Sequence, residues 1–116
     1  MSRVLLVFLL FQLTHAAPSR LFNQPNAYFC ANPTLRDAVH AAMDVPADNL
    51  SVDLIQNQIE ESLKPYFLAN GGVWLVSAAS YHRVNGYVDD RASESQTFCA
   101  INNNNLNVNV VIVRIQ

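Results

Sequence analysis

The residues of this chain that could do chemistry are few, and their spacing assembles only fragments of catalytic sets. A hydrolase needs a nucleophile within hydrogen-bond reach of a base, and a third group to orient that base. Ser77 or Ser80 with His82 and Asp89 or Asp90 supplies the residue types, but neither serine sits in a glycine elbow. His82 reads as a solvated turn side chain, His40 as a residue on the exposed side of a helix, and His15 falls in the N-terminal segment. Glu60 with Glu61 and Asp89 with Asp90 are paired carboxylates by sequence only. Adjacent helix residues point in different directions and a loop pair is solvated, so neither pair makes a glycosidase dyad. Asp44, Asp48 and Asp53 lack the EF-hand spacing and its bidentate Glu, which makes them a solvated acidic turn. The expectation is a chain that is not an enzyme, with no metal site and no cofactor, whose ligand-binding residues are not identifiable from residue types.

Cys30 and Cys99 are the only cysteines, and their chemistry depends on the compartment. Arg3 is followed by an apolar stretch at 4–13 broken only by Gln12, then by Thr14, His15, Ala16, Ala17 and Pro18. Such a stretch is short of the roughly 20 residues that span a bilayer and fits the about 7–15 of a signal-peptide core. An amphipathic first helix is the competing reading, but residues 4–11 are apolar on every side. We therefore expect a signal peptide at 1–17, cut after Ala16 or Ala17, and a secreted, extracellular product. There the two cysteines are read first as one disulfide, the alternatives being free thiols or an intermolecular pairing. A bridge closing so long a loop is worth on the order of 4 kcal/mol in the chain-entropy model. A metal site would need further ligands that are not nearby.

Asn49-Leu50-Ser51 is an N-glycosylation sequon, whereas Pro33 disqualifies Asn32 and Thr34. Asn49 and Ser51 also stand where a helix cap is wanted, so the two readings compete. Seven Lys and Arg against nine Asp and Glu give a net charge of −2. The basic residues are scattered, which argues against nucleic acid as a partner. No other apolar run is long enough to span, so no membrane span is expected in the mature form.

These residues must be positioned by elements that the spacing also predicts. Residues 18–29 read as an irregular lead-in. Asn32 caps and Pro33 opens a helix carrying Leu35, Ala38, Val39 and Ala42 on one face and ending near Met43. Val52, Ile55, Ile59 and Leu63 make the stripe of a second helix, which Pro65 should stop. Residues 66–68 then pack under its exit before the turn at 70–72. Beyond it the pattern turns extended: a strand at 73–78, a bent or second strand at 81–88 with a tight Asn85-Gly86 turn, and a strand at 96–101. After a turn at 102–105 comes the longest strand, 106–115. It has Leu106, Val108, Val110 and Ile112 on one face and Val111, Val113 and Ile115 on the other, as in a central strand covered on both sides. Helices followed by strands predict an α+β domain over 30–116: two helices on one face of a three- to four-stranded antiparallel sheet. The disulfide would clip the two layers together.

The run from Cys30 to Ile115 resembles the nematode ground-like domain, found in secreted hedgehog-related proteins. The likeness is carried by Cys30 with Asn32, Pro33 and Leu35, by Leu50-Ser51 leading into Ile55-Gln56 and Ile59-Glu60, by the strand at 73–76, by Ser80-Tyr81, and by Thr97-Phe98-Cys99-Ala100. The family carries further cysteines beside the first and last, where this chain has Ala31 and Ala100, so a second disulfide is absent. The resemblance implies an extracellular, non-enzymatic module of cuticle, apical matrix or intercellular signalling, with no catalytic residues to transfer.

The expected function is a secreted binding or signalling module whose partner is an extracellular protein, a matrix component or a small apolar ligand such as a lipid. The alternative is a self-associating structural component of cuticle or extracellular matrix, a hazard if the strand at 106–115 lies at a sheet edge.

Overall fold

A computed structural model of the chain describes residues 26–49 and 51–116. Their elements are β1 (Asn26–Cys30), α1 (Pro33–Met43), α2 (Val52–Asn70), β2 (Trp74–Ser80), β3 (Phe98–Asn103) and β4 (Val108–Arg114), with a 3-10 turn at Ala47–Asn49. The strands form one antiparallel sheet in the order β1-β3-β4-β2, and both helices lie on one of its faces. The architecture is thus α+β, with four strands. The signal peptide expected at 1–17 and residues 18–25 of the lead-in lie outside the described residues.

The remainder of the lead-in is not irregular: Asn26–Cys30 is an edge strand whose five residues pair with β3. Asn and Pro punctuate its approach, but Ala27-Tyr28-Phe29 adopts the extended form because a partner strand some 70 residues away accepts its ladder bonds.

Helix α1 starts where its cap dictates. The Asn32 Oδ1 accepts from the Thr34 and Leu35 N–H groups at 2.9 and 3.3 Å, and Pro33 occupies the first turn, where no N–H is missed. Ser51 does the same for α2, its Oγ accepting from Leu54 N at 3.3 Å. Helix α2 runs through Pro65 to Asn70, past its expected stop. The bond that Pro65 cannot donate would go to Glu61, on the exposed side where water can serve that carbonyl. The extra turn also seats Tyr66 and Phe67 against Trp74, the Phe67 and Trp74 rings stacking at 4.8 Å. The stop comes at Gly71, whose positive φ of 69° suits glycine and whose N–H bonds to Phe67 O at 2.9 Å.

The core lies between the layers. Leu35, Val39, Ala42 and Met43 of α1 and Ile55, Ile59 and Leu63 of α2 meet Cys99, Ile101, Val108, Val110 and Ile112 of the central strands. The bridge forms as expected between Cys30 and Cys99, with an S–S distance of 2.08 Å. It joins two strands of the sheet, β1 and β3, across a directly opposed pair; it does not clip helix layer to sheet.

The segment expected as a strand at 81–88 is part of a long loop, 81–97. Gly86 has the positive φ of 67° that the Asn-Gly turn signals, but Val84 beside it is 97% exposed and no strand flanks the turn. Topology explains this. Strands β2 and β3 both run antiparallel to β4, so the chain must travel back along the whole sheet before β3 begins. The asparagine cluster guides the return. The Asn104 amide bonds Val88 twice, donating to its O at 2.9 Å and accepting from its N at 3.3 Å, and accepts from the Tyr81 hydroxyl at 3.2 Å. The Arg83 guanidinium lies over the Tyr87 ring and donates to Asn107 Oδ1 at 2.9 Å. Asn107 holds a left-handed φ of 59° that Asn tolerates better than most residues.

The two sheet edges are treated differently. At β1 the loop closes the edge: Tyr28 N–H donates to Asp90 Oδ1 at 2.9 Å, and Arg91 N–H donates to Tyr28 O at 3.1 Å. At β2, among the described residues, only Ala78 N–H is met, by Gln56 Oε1 of α2 at 3.0 Å. The alternation then turns the N–H and C=O of Val76 outward as well. Residues 73–81 contain no charge and no proline to blunt that edge.

Candidate functional site

The catalytic fragments remain apart. Ser77 and Ser80 lie on β2, whereas Asp90 is bound to β1 at the opposite edge. Three strand spacings separate them, about 14 Å. His82 is exposed in the loop, and among the described residues it makes no hydrogen bond with either serine. Glu60 and Glu61 are exposed on α2. Among the described residues no group of three or more His, Cys, Asp or Glu could hold a metal ion, and the acidic turn with Asp44, Asp48 and Asp53 forms none. The Cys30 and Cys99 sulfurs are bonded to each other and buried.

His40 is not on the exposed side of its helix. Its ring packs edge-on to Tyr28 at 5.6 Å, and its Nε2 is buried without a hydrogen-bond partner among the described residues. Burial lowers its pKa below the usual histidine value, the Arg36 charge lowers it further, and Asp37 opposes. The unfolded chain therefore binds this proton more readily than the folded one, and stability falls as pH drops below about 6.5. Urea unfolding at pH 7.5 and 5.5 should show a loss in the native protein that His40→Gln reduces; equal losses in both would refute the assignment.

Two surfaces could receive a ligand. One is a groove of about 440 Å³ between the end of α1 and the first turns of α2, with Ala42, Val45, Leu54 and Ile55 as its apolar lining and Asn49 and Glu61 at its rim. It is partly open to solvent. The other is the face of the sheet turned away from the helices. Sheet register places on it one row of Phe29, Ala100, Val111 and Ser77, a second of Phe98, Val113 and Leu75, and a third of Ala27, Asn102, Asn109 and Ala79. Val73 and Ile115 extend it, Ile115 N–H bonding Val73 O at 2.8 Å. Phe29 is 37% exposed, Leu75 50% and Ile115 56%, while Phe29 and Phe98 meet edge to face at 5.6 Å. No charged side chain stands in these rows.

The face arises from the composition of β4. Val108, Val110 and Ile112 are buried under the helices, and Val111 and Val113 on the other parity are as apolar but only half-buried. A strand apolar on both faces belongs in a sheet covered on both sides. Among the described residues the expected double cover is not present, because α1 and α2 pack on the same side. Sequence reasoning recorded the signal in Val111, Val113 and Ile115 but not its meaning, and it passed over Phe29 and Phe98 as site residues.

Asn49 is exposed in the 3-10 turn on the helix side of the molecule, and Ser51 both completes the sequon and caps α2. Among the described residues, no helix is long and apolar enough to cross a membrane. A scan of protein-family models finds none that matches the chain, and a search of curated proteins finds no match.

Proposed function

We propose that the chain is a secreted, non-enzymatic extracellular binding module of the ground-like type, and that it docks on a protein or matrix partner through the uncovered sheet face. The observation that carries this reading is the continuous apolar surface of Phe29, Phe98, Val111, Val113, Leu75 and Ile115 on a sheet whose other face is already packed. Exposed apolar patches rimmed by polar residues mark interaction sites in soluble proteins. The absence of charge there favours an apolar protein surface over nucleic acid. A glycan at Asn49 would sit on the helix side and leave the face free. The self-associating structural reading is favoured by the open, uncharged edge of β2; strand β4, the feature that first suggested it, lies in the sheet interior.

The test is retention of the purified secreted protein on an extracellular matrix extract, with intact-mass analysis of the same sample. The mass should show loss of the leader, an oxidised bridge and an added glycan. Native protein is expected to be retained saturably and Leu75→Glu to be released, since a charge placed in a desolvated contact is strongly unfavourable. Equal retention of both, or uncleaved protein with free thiols, refutes the proposal.

A further inference from the structure

We infer that the occupant of the uncovered face is a second copy of this chain, giving a four-layer dimer in which two sheets stack between two outer pairs of helices. This rests on the reading of the face as a docking surface and names its partner. The face is self-complementary. A two-fold axis lying in the interface along the strand direction carries β1 of one protomer over β2 of its partner, and β3 over β4. In the first row, Phe29 then faces the partner's Ser77, and Val111 faces the partner's Ala100. In this row large side chains meet small ones, the arrangement that lets facing layers interdigitate, and in the second row Phe98 meets the partner's Val113 in an apolar contact. An axis across the strands would set Phe29 on Phe29 and Val111 on Val111.

The polar row obeys the same symmetry. Asn102 comes opposite the partner's Asn109, and both amides lack a hydrogen-bond partner among the described residues. An amide offers both donor and acceptor, so two such pairs satisfy one another across the interface. The uncharged rows mean that no like charges meet when the face is duplicated. The area also suffices. Four strands about 4.8 Å apart and five to seven residues long give roughly 400 Å² of mean plane per protomer. Counting both protomers, and allowing half as much again for side-chain relief, brings the buried surface to about 1,200 Å², the lower bound of specific interfaces.

Sedimentation equilibrium of the mature secreted protein alone, from about 1 µM to about 1 mM, tests the inference. A concentration-dependent dimer is expected, with Val111→Glu raising the dissociation constant about 100-fold or more while circular dichroism and the thermal midpoint stay unchanged. Ser77→Glu, at an exposed position, makes the same test should Val111→Glu fold poorly. The symmetry is read by mixing Asn102→Cys with Asn109→Cys under oxidation, which should give more cross-linked dimer than either variant alone. Equal or lower yield overturns the axis, and a monomer at every concentration overturns the dimer. If the native protein is monomeric while Leu75→Glu still loses matrix retention, the second copy is wrong and the docking face stands; if the native protein is monomeric and Leu75→Glu is retained normally, the docking face itself is wrong.

Discussion

Replacing Cys30 and Cys99 together by alanine is expected to lower the unfolding free energy by about 4 kcal/mol. The bridge closes a loop of 69 residues in sequence separation, which spans both helices, β2 and the long return loop. Chain entropy released in the unfolded state grows only slowly with loop length, but a loop of this size is already near the upper end. A second contribution comes from the native side. Both cysteines are buried, and the bridge fixes the register of β1, a five-residue edge strand, against β3. A domain of this size has about 5–15 kcal/mol of stability in total, so the variant should unfold at markedly lower urea. An unchanged midpoint for the double alanine variant, or for the reduced native protein, would show that the bridge does not hold the fold.

Asn32→Ala should follow, at about 3 kcal/mol. Asn32 is 3% exposed, and both ends of its amide are used. Oδ1 caps α1, while Nδ2 donates to the Tyr66 hydroxyl at 2.7 Å and to Gln96 O at 3.0 Å. One side chain thus joins the start of α1, the last turns of α2 and the end of the return loop. Loss of the cap costs about 1 kcal/mol, and leaving the buried partners unmet adds about 1–3 kcal/mol. Tyr66→Phe removes only one of these bonds and should cost about 1 kcal/mol. Urea unfolding of the two variants measures the contrast. Equal costs for Asn32→Ala and Tyr66→Phe would mean that the cap and the Gln96 contact add nothing.

The helices were legible in the sequence because their determinants are local. Asn32-Pro33 and Ser51 cap what they precede, and the stripes of Leu35, Val39 and Ala42 and of Ile55, Ile59 and Leu63 need no knowledge of the rest of the chain. Pro65 misled because its effect depends on which face of the helix carries Glu61, and that is a tertiary fact. Strand β1 was missed because its hydrogen bonds lie across the full length of the disulfide loop. The Asn85-Gly86 turn was read as a hairpin because its local signal is real, although no strand pairs across it. The candidate site was half visible. The two apolar parities of β4 were plain in the sequence, but only the packing reveals that both helices chose one side.

The unequal finish of the sheet borders limits growth. A flat ribbon extends without end only when every added unit presents a fresh template, and here the β1 border is already sealed by Asp90 and Arg91. Two molecules meeting through their β2 borders would therefore expose no further strand edge for a third to pair with. The long return loop is in this sense a chain terminator, and shortening it is expected to reopen the β1 border to strand pairing.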